Sequence, residues 1–170
     1  MTDPFSTLPA VPAFPLRSDS VTDGTPLAPA QWAGHDVSPH LSWSEPPEGT
    51  KSFVVTMYDP DAPTGSGFWH WAVADIPATV LGLPADAGDP SKHNLPDGAF
   101  HVPNDARVPG YVGAAPPPGH GEHRYLIVVS ALDVDTIGVP PDATPAYLGF
   151  LVGGHILGRA VLTATAETPA

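Results

Sequence analysis

Three short blocks of this sequence contain the residue types from which a small-anion site or a metal site could be built. The first is DPDAP at residues 59–63, which places two carboxylates on one turn. Pro60 holds Asp59 in an extended conformation, and both prolines stiffen the loop. Such a turn can face a cleft, but solvent-exposed Asp/Pro turns are common, and the block taken alone favours that interpretation.

The second block is FWHW at residues 68–71, which puts a histidine between two tryptophans. Side chains alternate between the two faces of a strand. Alternation therefore predicts that His70 points to the face opposite Trp69 and Trp71. A histidine in such a strand can be a hydrogen-bonded core residue or a group that binds a ligand.

The third block is PPPGHGEHRY at residues 116–125, a proline-glycine loop that leads into an apolar run. His123 and Tyr125 share one face of the predicted strand, and Arg124 points the other way. Backbone N–H groups that precede a strand can form an anion-binding concavity. Taken alone, the block could also be a simple proline-rich connection.

The elements that must position these blocks are mostly strands. Runs of β-branched and aromatic residues predict strands at residues 14–18, 37–43, 52–59, 68–76, 99–102, 124–132 and 156–165. Residues 143–155 have approximate helical spacing, and residues 82–122 form a long Gly/Pro-rich connection. Strands and helices do not alternate regularly, so the sequence predicts a mainly β fold rather than a doubly wound α/β fold.

Composition limits the partners of the chain. The 170 residues predict one domain, with residues 1–13 as an extended arm and residues 14–170 as the folded part. Acidic residues number 18 and basic residues 6, and this charge of −12 disfavours nucleic acid and anionic membrane surfaces. An anion would therefore have to bind in a local pocket.

The sequence also bears on location. Residues 1–16 lack the features of a secretory signal, and no apolar run could span a bilayer. We therefore expect a cytoplasmic protein.

In this order and spacing, the three blocks resemble the phosphatidylethanolamine-binding protein family, in particular its bacterial Raf-kinase-inhibitor-like branch of YbhB/YbcL type. The resemblance extends over residues 14–165 and includes PAYLGFLVGGHILGRAVLTAT near the end. It implies two antiparallel sheets with Greek-key character and short helices near the C-terminus. It also implies a pocket for simple anions and for phosphate-like headgroups such as phosphoethanolamine.

Carried over onto this chain, the resemblance implies eight ligand-binding positions: Asp59, Asp61, Pro63, His70, Ala115, Pro116, His123 and Tyr125. One departure concerns the last strand, where many relatives carry a tyrosine near the pocket. The matching stretch here is Ala164-Thr165-Ala166, so that aromatic group is missing.

These features favour a non-enzymatic binding protein without a cofactor, whose ligand is a small anion or a phospholipid headgroup. The resemblance also implies a protein partner such as a kinase or a protease, and a homodimer. One alternative is a structural or interaction protein with a vestigial pocket. The other is a metal-dependent hydrolase, because two histidines and a carboxylate form a recognised zinc ligand set. No HExxH or comparable close ligand pair supports that alternative.

Overall fold

The chain folds into two antiparallel sheets, and the computed structural model describes residues 4–170 of it. The smaller sheet has the order β1-β2-β5, formed by β1 (Leu16–Arg17), β2 (Leu41–Trp43) and β5 (Gly82–Leu83). The larger has the order β6-β4-β3-β7-β8, formed by β3 (Ser52–Asp59), β4 (Phe68–Pro77), β6 (Phe100–His101), β7 (His123–Leu132) and β8 (Ile156–Ala166). Strand β7 pairs with β3 rather than with β4, so the chain crosses over between the two hairpins. The predicted mainly β fold with two antiparallel sheets is confirmed.

The main core lies between the two sheets. Alternation along β3 sends Phe53, Val55 and Met57 into this core, where they meet Leu41 and Trp43 of the small sheet. Strand β7 contributes every second residue in the same way. The inward face of both strands continues to their ends, which is why the polar end residues of β3 and β7 also point inward.

One helix, α1 (Pro145–Val152), covers the opposite face of the large sheet. Thr144 begins it, because its hydroxyl accepts a hydrogen bond from the Tyr147 N–H at 3.2 Å and Pro145 suits the first helical turn. Its inner residues, Leu148 and Val152, pack on Val54 and the neighbouring strands. Among residues 4–170, no helix has the length and apolar character needed to cross a bilayer.

Strand β4 contains a bulge at His70. Met57 pairs with Trp71 and Tyr58 pairs with Trp69, so one step along β3 spans two steps along β4. Trp69 stacks on Tyr58 with ring centroids 4.3 Å apart, whereas Trp71 belongs to the core between the sheets. His70 and Trp69 point to opposite faces of β4, as the sequence predicts. The prediction for Trp71 is wrong, because the extra residue brings it to the same side as His70.

Prolines explain why two strands are shorter than the sequence predicts. The run at 37–43 forms a strand only at Leu41–Trp43, and the run at 14–18 only at Leu16–Arg17. Pro39 and Pro15 cannot donate a ladder hydrogen bond, so each strand begins after its proline. Within the arm at residues 1–13, Pro12 accepts a hydrogen bond from the Arg159 N–H at 2.9 Å, and residues 1–3 lie outside the described part.

Two glycines give a matched test of local packing. A Cβ at Gly113 would overlap main-chain atoms of Trp32 and Ala33, whereas a Cβ at Gly149 in α1 would meet no atom within 4 Å. We expect Gly113→Ala to lower the free energy of unfolding by about 1–3 kcal/mol. Gly149→Ala should raise it by about 0.5–1 kcal/mol, because alanine favours the helix. Urea unfolding measures both, and equal stability of the two variants would contradict this packing.

Candidate functional site

A cavity of about 230 Å³ opens where the C-terminal end of β3 meets the N-terminal ends of β4 and β7. Cavities for drug-sized ligands usually exceed about 300 Å³, so this one suits a small ligand or one small group of a larger molecule. Six of the eight positions predicted from the sequence line it: Asp59, Pro63, His70, Ala115, His123 and Tyr125. Its remaining lining is mostly apolar.

Asp59 and His123 form a buried pair in the wall of this cavity. The Nδ1–H of His123 donates to Asp59 Oδ2 at 2.8 Å, and the two side chains are only 2% and 4% exposed. The other carboxylate oxygen, Oδ1, accepts the backbone N–H of Asp61 at 2.8 Å. The carboxylate therefore fixes both the turn that follows β3 and the ring orientation of His123.

His120 uses the second ring nitrogen of His123. Its Nδ1 lies 2.7 Å from His123 Nε2, and the two ring centroids are 4.9 Å apart. His120 is exposed on the loop between Gly119 and Gly121, both of which have positive φ. Both nitrogens of His123 thus have protein partners, so His123 is better placed to position its neighbours than to donate to a ligand.

His70 faces the cavity with a fixed tautomer. Its Nδ1–H donates to the Val112 carbonyl at 2.9 Å, and the Val112 N–H donates back to the His70 carbonyl at 3.0 Å. Burial lowers the pKa of His70, and this outweighs the opposing effects of the Val112 carbonyl and of Asp59. The ring is therefore neutral at physiological pH, and Nε2, the nitrogen without the proton, can accept a hydrogen bond.

Tyr125 supplies a hydroxyl without a partner. The residue is fully buried, and its hydroxyl oxygen makes no hydrogen bond to the part of the chain that the structure describes. Asp59 and Ala115 lie near it without meeting hydrogen-bond geometry. Burial, followed by the charge of Asp59, raises the pKa of Tyr125, so its hydroxyl keeps its proton and can donate. The ring lies 5.2 Å from that of His70.

Asp61 and Pro116 are not among the residues that line the cavity in the described structure. Asp61 instead accepts three hydrogen bonds from Arg124: from its backbone N–H at 3.0 Å and from Nε and Nη2 at 2.8 Å each. Pro116 is buried, and the next residue, Pro117, lines the cavity. The second carboxylate of the first block therefore ties the 59–63 turn to β7.

A larger depression of about 460 Å³ lies elsewhere, against the loop of residues 89–109. Its lining includes His93 and His101, but none of the buried polar atoms that lack a partner. Size alone does not make it a site, and the smaller cavity combines burial with unused hydrogen-bonding capacity. Across residues 4–170, no group of three or more His, Cys, Asp or Glu side chains could hold a metal ion.

Several residues of the site escaped prediction from the sequence. His120 stands within the third block, and a second histidine three positions before His123 was the available signal. Phe68 and Thr64 lie beside the first two blocks and also line the cavity. Val112 comes from the long 82–122 connection, where no sequence pattern marked it.

Comparison with known proteins agrees with this architecture. The sequence model of the phosphatidylethanolamine-binding protein family matches residues 17–167. The UPF0098 protein YbhB of Escherichia coli is 50% identical over 131 residues, which cover 77% of this chain and 82% of YbhB. The UPF0098 protein YbcL of the same organism is 42% identical over 161 residues, covering 91% of this chain and 88% of YbcL.

Solved structures show the same similarity. The crystal structure of E. coli YbcL, described as a new member of the mammalian PEBP family, superposes with a TM-score of 0.88 at 41% identity, covering 91% of this chain and 98% of that one. The molecule therefore belongs to a class of proteins that have a two-sheet β fold with a small cavity at the strand ends. The chain is a member of the phosphatidylethanolamine-binding protein family, and the resemblance seen in the three sequence blocks is confirmed.

The Asp61–Arg124 contact predicts a pH-dependent part of the stability. Hydrogen bonds from the Arg124 side chain hold the pKa of Asp61 below its usual range. A carboxyl whose pKa is lower in the folded state stabilises the fold above its unfolded pKa, about 3.9, and this contribution is lost as the pH falls through the folded pKa. Asp61→Asn should therefore lower the free energy of unfolding at pH 7 by about 0.5–1 kcal/mol, and the difference from wild type should shrink as the pH falls through the folded pKa of Asp61.

The matched control is Asp135→Asn, since Asp135 is an exposed loop carboxylate. Urea unfolding at several pH values measures both variants. A wild-type advantage over Asp61→Asn that is constant with pH would mean that the charge of Asp61 has no role in the contact.

Proposed function

We propose that this chain is a binding protein whose cavity takes a small phosphate-bearing anion, either free or as the headgroup of a larger molecule such as phosphoethanolamine. The observation that carries the proposal is the hydroxyl of Tyr125, which is buried in the cavity wall without a hydrogen-bond partner. A buried polar group without a partner costs about 1–3 kcal/mol, and a ligand oxygen in the cavity would remove that cost.

Charge supports a local site of this kind. The chain carries −12, so a ligand anion gains nothing from the overall field. Arg124, which follows His123 on β7, binds Asp61 through its side chain. The cavity instead offers neutral groups in apolar surroundings, where each hydrogen bond is stronger than it would be in water.

The eight predicted positions take different roles in this proposal. Tyr125 and His70 contact the ligand, Asp59 and His123 hold that wall in place, and Pro63 and Ala115 shape the cavity. Asp61 and Pro116 act from behind the wall: Asp61 by binding Arg124, and Pro116 by leading into the lining at Pro117.

Two further parts of the proposal concern partners and location. We expect a cytoplasmic protein that forms a homodimer and also engages a protein partner, such as a kinase or a protease. A structural neighbour of 18% identity and TM-score 0.55 is a carboxypeptidase Y inhibitor complexed with its cognate proteinase, and at this distance it supports the fold alone. A Mycobacterium tuberculosis relative, 33% identical over 95% of this chain, has a lipoprotein name, LppC. Light scattering tests whether the chain forms a homodimer, and cell fractionation tests its location.

The binding proposal predicts a trade between affinity and stability at Tyr125. Without ligand, Tyr125→Phe should raise the free energy of unfolding by up to about 1–3 kcal/mol, because it removes a buried hydroxyl that has no partner. The same variant should bind phosphoethanolamine roughly 10- to 100-fold more weakly, since it loses one hydrogen bond to a charged group. Thermal unfolding and NMR titration measure the two effects.

Tyr147→Phe is the control, because Tyr147 is 46% exposed on α1, outside the cavity. It should change neither quantity. The proposal fails if wild-type protein shows no NMR shifts at the cavity with millimolar phosphoethanolamine or inorganic phosphate.

A further inference from the structure

The cavity presents an unusual pair of hydrogen-bonding groups to a ligand. Tyr125 offers an O–H donor that has no protein partner. His70 offers an acceptor, because the hydrogen bond from its Nδ1–H to the Val112 carbonyl at 2.9 Å leaves the lone pair on Nε2. A fitting ligand group must therefore accept one hydrogen bond and donate another.

We infer that the cavity selects phosphate monoesters in their singly protonated form over phosphodiesters and sulfate esters, an inference that rests on the binding function proposed above. A monoester has a second pKa near 6, so it can carry a proton on one phosphate oxygen and donate it to His70 while another oxygen accepts from Tyr125. Diesters and sulfate esters have no such proton near neutral pH. They would place a charged oxygen against a lone pair.

The alternative, protonation of His70 itself, is opposed by its surroundings. His70 is 5% exposed, and burial lowers its pKa. The titratable and charged groups that face it are Asp59 on β3, His123 and Tyr125 on β7, and Asp105 on the loop. Both carboxylates act to raise its pKa, but they are outweighed by burial.

Asp59 adds a second reason for the singly charged form. Asp59 is 3% exposed and lines the cavity, and each of its carboxylate oxygens accepts one hydrogen bond from the protein. A doubly charged phosphate would meet this carboxylate and the overall charge of −12. One proton shared between the ligand and His70 reduces that repulsion. Because the proton must be present in the complex, binding above pH 6 takes it up from solution.

The test is titration calorimetry of the wild-type chain with three ligands that share an aminoethyl ester group. Phosphoethanolamine is the monoester, ethanolamine O-sulfate is its counterpart without the proton, and glycerophosphoethanolamine is the diester found in an intact lipid headgroup. We expect phosphoethanolamine to bind at least tenfold more tightly than the other two at pH 7. Its affinity should fall roughly 50- to 100-fold from pH 6.5 to pH 8.5. Titrations in buffers of different ionisation enthalpy should show uptake of about one proton at pH 8.

His70→Asn is the diagnostic variant, since its amide can still donate to the Val112 carbonyl but has no atom at the position of Nε2. It should lose the proton uptake and most of the preference for the monoester. His93→Asn is the control, because His93 is exposed, lies outside the cavity, and has a left-handed φ of 52° that asparagine tolerates.

The outcomes separate this inference from the function on which it rests. Equal affinity for the three ligands with no proton uptake would overturn the inference and leave anion binding standing. Tight binding of the diester alone would also overturn it, and would indicate an intact lipid headgroup as the ligand. Binding of none of the three would overturn both the inference and the proposed function. The wild-type measurements decide among these outcomes even if His70→Asn does not fold.

Discussion

The hydrogen bond between the Asp59 carboxylate and the His123 ring, at 2.8 Å, joins the last residue of β3 to the first residue of β7. Both side chains are almost fully buried, so each needs the other: a buried charge or ring nitrogen without a partner is costly. The carboxylate also binds the backbone of the following turn, and His123 binds His120 on the preceding loop. One contact therefore sets the relative position of two strand ends and two loops, and the cavity lies between them.

In the proposed function, this arrangement lets an acidic protein bind an anion. A cluster of lysines would attract an anion over a long range, but a chain with 18 acidic and 6 basic residues has little such attraction to offer. In the proposed function, the tyrosine hydroxyl and the neutral histidine bind the anion instead. Such groups select by hydrogen-bond pattern rather than by charge, because only a ligand with the matching donor and acceptor satisfies both.

The sequence predicted the fold and most of the site because both follow from local patterns. The strand at 52–59 was predicted with its observed ends, and alternation correctly placed His123 and Tyr125 on one face of the strand that follows the third block. The bulge at His70 was not predictable, because it depends on how β4 aligns with β3 rather than on the sequence of β4. The contact with Val112 was missed for the same reason: it joins residues 42 positions apart through a loop without a repeating pattern.

Three buried side-chain polar atoms lack a hydrogen-bond partner in the described structure: Gln31 Oε1, Trp43 Nε1 and the Tyr125 hydroxyl. The first two belong to residues that do not line the cavity, so a ligand there cannot reach them, and they are a plain cost to stability. Of the three residues, only Tyr125 lines the cavity. A phenylalanine would fill the same volume without leaving a polar atom unpaired, so packing alone gives no reason for a tyrosine. In the proposed function, a ligand in the cavity gives this hydroxyl a partner, and the empty cavity is then the less stable state.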